Sequence, residues 1–319
     1  MLLNKKELVL KRRIRSKVKT VIVTGANGFI GSALCRAFSQ KNVRVLAFVK
    51  EKSDRIDDLE NIKIFKDDFG GFEYLDKVIG DEHVDEFYHL AWAGVSNSFN
   101  ADYNVQLANI KASCEAINAC YRIGCKRFIF ASSIMIYEIA ALMEHEITPN
   151  KSTLYKSAKL AADYMVRTLA GSLGIDYIRG IVSNVYGPGE RSPRLINTTI
   201  RKIINGEHCA FSSGTQKYDF IYIDDAIEAF IKIGEVGKNN KTYYIGSLNP
   251  RPLKELLLEL RDVVDKDAKM GFGELEFNGV SLTYEEFDIN AIKDDTGLVP
   301  AVDFKEGIRR TAEWIRENG

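Results

Sequence analysis

Residues 20–31 read TVIVTGANGFIG, and this stretch decides the fold. Its first part, Val21 to Val23, is continuously apolar, which predicts a buried parallel strand. Three glycines follow, and apolar residues then recur at helical spacing. A strand, a glycine turn and a helix in this order let the backbone approach a pyrophosphate closely, at a helix N-terminus. The alternative is an ordinary strand–helix turn. We expect a dinucleotide site formed by Gly25, Asn27, Gly28, Phe29, Ile30 and Gly31.

A second motif lies in the middle of the chain, where Tyr155 and Lys159 are four residues apart and share one helix face. A nearby ammonium favours the phenolate, so we expect a tyrosine pKa below its usual value near 10. Such a pair suits general acid/base catalysis. Ser133 follows an apolar run at the carboxyl end of a predicted strand, where its hydroxyl can bind a substrate carbonyl. The alternative is a surface pair on an amphipathic helix.

Strand-like and helical patterns alternate along the first two thirds of the chain. We predict strands at 18–24, 43–49, 61–66, 84–91, 126–132 and 175–182, and long helices at 101–123 and 152–173. This alternation predicts an α/β fold, a Rossmann-type doubly wound parallel sheet with a smaller C-terminal substrate-binding domain. The expected dinucleotide domain covers 18–183 plus 215–245, and the substrate domain covers 184–214 plus 246–319. Segments 193–214 and 246–319 have less regular patterns.

Composition excludes several classes of function. Lysine plus arginine equals aspartate plus glutamate at 44 each, so no global field favours nucleic acid or membrane. No apolar run approaches the roughly 18 residues of a membrane span. Five cysteines without Cys-x-x-Cys spacing indicate reduced thiols in a cytoplasmic protein, and four scattered histidines argue against a metal site. The basic stretch 1–17 lacks the apolar core of a secretory signal and is expected to be a solvated extension; a binding arm is the alternative.

The chain resembles the extended short-chain dehydrogenases/reductases, in particular the nucleotide-sugar epimerase/dehydratase/reductase group, over about residues 18–317. The motifs that carry the resemblance are TGANGFIG at 24–31, HLA at 89–91, ASS at 131–133, Tyr155-x-x-x-Lys159, NVYGPG at 184–189 and DFIYIDD at 219–225. The resemblance implies catalytic roles for Ser133, Tyr155 and Lys159, with Asn109 supporting the geometry. It also implies a homodimer formed through the helices at 101–123 and 152–173.

The expected cofactor is NADP (NADPH), with NAD possible. NAD enzymes carry an acidic residue at the end of the second strand, whereas this strand ends in Lys50. Lys50, supported by Ser53 and Arg55, suits a 2′-phosphate, although the next residue is Glu51; a solvated turn is the alternative. By resemblance, Asp67 or Asp68 contacts the adenine. Leu90, Ala91 and Trp92 border the cofactor, with core packing as the alternative for Trp92.

The two residues after Ser133 narrow the reaction. The family's 4,6-dehydratases carry Asp-Glu at the positions that Ile134 and Met135 occupy here, so dehydration is disfavoured. We expect NADPH-dependent reduction of a 4-keto(-6-deoxy) nucleoside-diphosphate hexose by a Ser-Tyr-Lys triad. The alternatives are an NAD-dependent 4-epimerase resembling UDP-glucose 4-epimerase and a non-enzymatic NADP-binding sensor or scaffold.

The substrate pyrophosphate lacks its usual partner. The family often has an arginine where this chain has Tyr218, although Lys217 precedes it. Two arginines in the loop after the NVYGPG run can supply the charge, because a guanidinium suits phosphate; solvated loop charges are the alternative. The predicted substrate-binding residues are Asn184, Arg191, Arg194, Lys217 and Tyr218.

Overall fold

A computed structural model describes residues 18–50, 55–66, 71–95, 98–144, 148–277 and 279–318. Its strands are β1 (Thr20–Thr24), β2 (Arg44–Val49), β3 (Ile62–Lys66), β4 (Glu86–His89), β5 (Arg127–Ser133), β6 (Asp176–Val182), β7 (Asn184–Tyr186), β8 (Cys209–Phe211), β9 (Lys217–Tyr218), β10 (Phe220–Tyr222), β11 (Thr242–Ile245), β12 (Arg251–Pro252) and β13 (Met270–Phe272). Its α-helices are α1 (Phe29–Gln40), α2 (Leu75–Ile79), α3 (Tyr103–Arg122), α4 (Tyr137–Glu144), α5 (Thr153–Leu173), α6 (Leu195–Ile204), α7 (Ile223–Val236), α8 (Leu253–Val264), α9 (Ala291–Thr296) and α10 (Phe304–Asn318).

Seven parallel strands form the central sheet in the order β3-β2-β1-β4-β5-β6-β11. The chain proceeds outward from β1 through β2 to β3 and returns to β4 on the other side of β1. The loops after β1 and β4 therefore diverge and open a crevice at the carboxyl edge, where ligands bind in such sheets. The Rossmann-type fold is confirmed, and no predicted strand or long-helix boundary differs from the observed one by more than two residues.

Alternation along β1 distributes its side chains between two cores. Val21 and Val23 pack on the face covered by α1 and α7, whereas Ile22 packs on the face covered by α3 and α5. Successive residues of a strand point to opposite faces, so a run that is apolar throughout is buried on both sides. No helix within the described residues is long and apolar enough to cross a membrane.

Segments 193–214 and 246–319, whose sequence patterns are less regular, contain the helices α6, α8, α9 and α10 together with stretches that form neither helix nor strand. Helix α6 buries Ile196, Ile200 and Ile203 on one face, and α8 and α10 pack against each other beyond it. These helices lie at the carboxyl edge of the central sheet. Strand β7 leads the chain to this edge, and it pairs in parallel with β10. The division into a dinucleotide domain and a substrate domain stays a prediction.

Candidate functional site

The turn after β1 is shaped by its glycines. Gly25 has a φ of +68°, and a Cβ there would lie 2.8 Å from the backbone nitrogen of Ala91. A Cβ at Gly31 would overlap the carbonyl oxygen of Gly25. Helix α1 begins directly after Gly28, without a side-chain cap and without an acid in its first turn. Its first N–H groups thus have no partner within the helix and suit an anionic ligand.

A cleft of about 630 Å³, which we call the main cleft, opens at this turn. It is bordered by the ends of β1, β2, β4, β5 and β6. Of the predicted residues it contains Gly25, Asn27, Gly28, Phe29, Ile30, Gly31, Lys50, Leu90, Ala91, Trp92, Ser133, Tyr155, Lys159 and Arg194. No motif pointed to several other lining residues, namely Phe48, Phe72, Ser183, Glu190 and Ser192. The close-packed turn and the uncapped helix fit a bound dinucleotide.

The other residues predicted at the adenosine end are placed differently. Lys50 follows β2, is exposed and lines the main cleft. Arg55 is half-buried and does not line this cleft; its carbonyl oxygen accepts a hydrogen bond from the Arg36 guanidinium at 3.1 Å. Ser53, Asp67 and Asp68 lie outside the described residues.

Buried His89 joins β1 to α3. Its Nδ1 lies 2.9 Å from Thr24 Oγ1, and its Nε2 lies 3.1 Å from Ser113 Oγ. The Ser113 hydroxyl donates to the Asn109 carbonyl, so Nε2 of the histidine carries the proton and Nδ1 accepts from Thr24. Burial lowers the pKa of His89 to about 3, with a smaller contribution from the charge of Lys159, so this histidine is a neutral connector.

Two polar side chains on α3 fix the loop after His89. Asn109 accepts from the Ala93 N–H and donates to the Ala93 carbonyl, each at 2.9 Å. Gln106 accepts from the Trp92 indole Nε1 at 3.1 Å and from Asn109 at 3.3 Å. Asn109 is buried and does not line the main cleft. Asn109 thus holds the loop through its hydrogen bonds, on the side away from the main cleft.

Tyr155 is buried at the base of the main cleft, and its acidity differs from expectation. Burial raises its pKa above the usual value of 10, while a hydrogen bond with Ser133 and the charge of Arg194 act in the opposite direction. We expected the Lys159 ammonium to lower this pKa. That expectation was wrong, because burial outweighs the Ser133 hydrogen bond and the Arg194 charge, and the Lys159 ammonium donates to the Ala131 carbonyl. Tyr155 is therefore a protonated acid at neutral pH.

Lys159 is held one helical turn further along α5. Its Nζ donates to the Ala131 carbonyl at 2.8 Å and lies 3.9 Å from the centre of the Trp92 ring. Burial lowers its pKa from 10.5 to about 7, and the Asp163 carboxylate opposes this shift. A lysine with this pKa exchanges its proton near neutral pH.

A second, smaller chamber of about 300 Å³ adjoins the main cleft, and we call it the side chamber. Val95, Ser133, Tyr155, Ser183 and Arg194 line both cavities, so the two meet at the predicted catalytic residues. Its other walls are largely apolar or aromatic, with two asparagines: Ile134, Met135, Asn184, Val185, Tyr186, Leu195, Ile196, Asn197, Tyr218 and Phe220.

Only some of the charged residues that we predicted to bind the substrate line the two cavities. Arg194 precedes α6, pairs with Glu190 at 3.4 Å and borders both cavities. Arg191 is exposed and lines neither cavity. Lys217 also lines neither, and its Nζ lies 2.5 Å from Glu285. The neighbouring Tyr218 faces the side chamber instead.

The acids of the DFIYIDD run have structural contacts. Asp219 is fully buried and accepts hydrogen bonds from the Tyr244 hydroxyl at 2.8 Å and the Ser247 N–H at 2.9 Å. Asp225 accepts from the N–H groups of Ala301 and Val302, each at 2.9 Å. These carboxylates fasten the chain after β11 and the chain before α10. They do not line either cavity.

The NAD dependent epimerase/dehydratase family matches this chain at residues 21–246, well over half of its length. The chain belongs to this family. The family match confirms the resemblance to the extended short-chain dehydrogenases/reductases, and it supports the binding of an NAD(P) cofactor.

Relatives within the family carry different activities in their names. A trifunctional UDP-glucose 4,6-dehydratase/UDP-4-keto-6-deoxy-D-glucose 3,5-epimerase/UDP-4-keto-L-rhamnose-reductase of Arabidopsis thaliana is 26% identical over 322 residues; the alignment covers 95% of this chain and 48% of that protein. The chain thus spans about half the length of this relative. A dTDP-D-glucose 4,6-dehydratase of Mus musculus is 26% identical, with 95% and 90% covered.

A solved structure is similar over its whole length. The UDP-N-acetylglucosamine 4-epimerase of Methanobrevibacter ruminantium M1, in complex with UDP-N-acetylmuramic acid, superposes with a TM-score of 0.79 at 26% identity. The superposition covers 95% of this chain and 100% of that one. Dehydratase, reductase and epimerase names thus occur at equal identity, and the residues of the two cavities must decide among them.

Proposed function

We propose that this enzyme reduces the 4-keto group of a nucleoside-diphosphate hexose, with NADPH as the reductant. The observation that carries the proposal is the position of Lys50, which borders the main cleft at the end of β2. An acid at this position suits the ribose hydroxyls of NAD, whereas a cation suits the 2′-phosphate of NADP. A reductase consumes NADPH in each turnover, whereas an epimerase recovers its NAD.

The side chamber supports reduction over dehydration. Ile134 and Met135 line it directly beside Ser133. Neither side chain can give or take a proton, so these two positions offer no acid for the elimination of water. Their apolar surface suits a 6-deoxy sugar, whose methyl group needs no hydrogen-bond partner.

The chain's own residues divide the chemistry of the reduction among them. The Ser133 hydroxyl binds the carbonyl oxygen of the substrate, where the two cavities meet. Tyr155 transfers its hydroxyl proton to that oxygen, and its raised pKa keeps the proton available at neutral pH. Lys159, with a pKa of about 7, supplies positive charge beneath the site. The nicotinamide, when bound, supplies the hydride that the carbon receives.

We place the pyrophosphate of the substrate at the start of α6. This helix has ten residues and begins after Arg194, without a side-chain cap and without an acid in its first turn. Free N–H groups, the positive end of the helix dipole and a guanidinium together favour a phosphate. Arg194 therefore replaces the arginine that the family often carries at the position of Tyr218.

The test offers purified enzyme two kinds of substrate. One reaction contains a 4-keto-6-deoxy nucleotide sugar with NADPH, and the other contains UDP-glucose or UDP-N-acetylglucosamine without added cofactor. We expect NADPH consumption, read at the nicotinamide absorbance band, in the first reaction only, and a rate lower by roughly 10²–10⁴-fold with the Tyr155→Phe variant. Interconversion of the UDP-sugars without NADPH would refute the reductase. Silence in both reactions, with NADPH still binding, would favour the sensor or scaffold.

A 4-epimerase is the second candidate, and the similarity to the archaeal 4-epimerase favours it. As an epimerase, this enzyme would use the same residues. Tyr155 would first accept the proton of the C4 hydroxyl as a base and would then return a proton as an acid. Tight NAD retained through purification, together with weak NADPH binding, would support this candidate.

We also propose a homodimer formed through α3 and α5. Both helices carry large apolar side chains that are exposed in the single chain: Tyr103, Leu107, Leu154, Tyr164 and Met165. Two-fold symmetry would bring this face against the same face of a second copy. Light scattering should give about twice the 35.9 kDa of one chain, and a monomer mass at micromolar concentration would contradict the dimer.

The cellular compartment of the enzyme is also a proposal. All five cysteines are free thiols, four of them buried. Free thiols persist in reducing compartments, so we place the enzyme in the cytoplasm.

A further inference from the structure

The indole of Trp92 touches both members of the predicted acid/base pair. The Lys159 ammonium lies 3.9 Å from the ring centre, within the range of a cation–π interaction. The Tyr155 ring lies 6.1 Å away, centre to centre, at an interplanar angle of 84°. This is the edge-to-face arrangement that aromatic pairs prefer. Trp92 therefore contacts residues that are four positions apart on α5.

The ring itself is held from the other side. Its Nε1 donates to the buried Gln106 side chain at 3.1 Å, and Gln106 in turn accepts a hydrogen bond from Asn109. Both amides belong to α3, a long helix packed along α5. The indole thus bridges two helices, in addition to lining the main cleft.

We propose that Trp92 is a positioning residue: its ring carries the Lys159 ammonium and locates the Tyr155 ring, and Gln106 fixes the indole in that position. The proposal rests on the proposed function only for the roles of Tyr155 and Lys159. It goes beyond a cofactor contact or a core-packing role for this tryptophan. The contacts to Lys159, Tyr155 and Gln106 are made within the protein, and they are additional to any contact that the ring makes with a ligand in the main cleft.

Other charges around Lys159 are identified by the structure. On its own helix, Asp163 favours the ammonium. From β4, His89 faces it as a neutral ring. From β5, the Phe130 ring lies 5.1 Å away, and the Ala131 carbonyl accepts its hydrogen bond. Because burial opposes the charge, the Trp92 ring is one of the few groups that stabilise the ammonium there.

The first test reads the contact without any turnover. Trp314, on α10, is the other tryptophan of the chain, so a Trp314→Phe protein reports Trp92 alone. Its emission should change in a single step with a midpoint near pH 7, the pKa of Lys159. Lys159→Met should abolish the step, whereas Lys305→Met, at an exposed lysine of α10, should leave it in place. Persistence of the step in Lys159→Met, or its absence from the parent, would overturn the proposal.

The second test separates positioning from cofactor binding, with the substrate that the reductase or epimerase assay identifies. Trp92→Leu should lower kcat by about 2- to 30-fold, the range of one cation–π contact, while Trp92→Phe should recover most of the loss. The Kd of the cofactor, measured by calorimetry, should stay within about threefold. Weakened cofactor binding with unchanged kcat at saturation would mean that Trp92 only contacts the cofactor. If neither assay yields turnover, the fluorescence titration still decides the positioning role, while the proposed function fails separately.

Discussion

Asp163 accepts a hydrogen bond from the Ser132 hydroxyl at 2.9 Å, which joins α5 to the end of β5 next to Ser133. The same carboxylate accepts from the Tyr177 hydroxyl at 2.8 Å and from Arg179 at 3.2 Å, and no part of it is exposed. It lies one helical turn beyond Lys159. The orientation of Lys159 and Tyr155 relative to Ser133 therefore depends on a buried acid that contacts neither cavity.

We expect Asp163→Asn to destabilise the fold. An amide replaces one acceptor oxygen with a donor and leaves Arg179 without its carboxylate. Removal of one partner from a buried ion pair costs about 3–5 kcal/mol of unfolding free energy. Urea denaturation measures this loss. Asp176→Asn is the matched control, because Asp176 is 48% exposed and lies 3.6 Å from Arg127, so it should lose at most about 1 kcal/mol.

Tyr155→Phe should remove activity without removing structure. The change deletes only the hydroxyl, so the buried ring and its packing on Trp92 persist. The rate of NADPH consumption should fall by roughly 10²–10⁴-fold, the usual contribution of a general acid. Tyr74→Phe, at an exposed position outside the proposed dimer helices, provides the control and should keep its rate. A Tyr155→Phe enzyme with near-full turnover would assign the proton transfer to another group.

Local patterns predicted the sheet well because they repeat over many residues. The run Val21 to Val23 is buried on both faces, as its composition indicated. The same kind of signal existed in α6, where Ile196, Ile200 and Ile203 recur at helical spacing. The sequence analysis assigned no helix there, because the pattern of the longer segment 193–214 is less regular. The sequence thus contained the signal for this helix.

The expectation about the acidity of Tyr155 was wrong for another reason. The spacing of Tyr155 and Lys159 correctly predicts one helix face, but it contains nothing about burial, and burial dominates the acidity of both groups. Lys217 pairs with Glu285, which is 68 residues distant along the chain, and its role in substrate binding stays a prediction. Contacts of this kind arise from the tertiary fold. A single sequence cannot reveal them.

Cofactor preference should depend on Lys50. Its exchange for an acid, Lys50→Asp, replaces attraction to a 2′-phosphate with repulsion. Loss of one charge-assisted contact is worth about 1.5–3 kcal/mol, or roughly ten- to a hundredfold in affinity. Calorimetric titration should show this loss for NADPH and little change for NADH. Lys305→Asp, at an exposed position of α10, should change neither affinity. A wild-type protein that prefers NADH would refute the assignment.

The stability of the protein should depend on pH through Lys159. Its folded pKa of about 7 lies below its usual value of 10.5, because burial disfavours the ammonium. Between these two pH values the unfolded chain binds a proton that the folded chain does not, so the free energy of unfolding rises with pH. Below about pH 7 both states are charged, and the full destabilisation is present.

The contribution is isolated by comparison with Lys159→Met, in which the other titrating groups are retained. The unfolding free energy of the wild type, minus that of the variant, should rise by up to about 1.4 kcal/mol per pH unit between pH 7 and 10. Urea denaturation at several pH values gives both quantities. The same comparison with Lys305→Met, at an exposed lysine of α10, should give a flat difference. A flat difference for Lys159→Met as well would show that Lys159 keeps an ordinary pKa and that burial does not govern its charge.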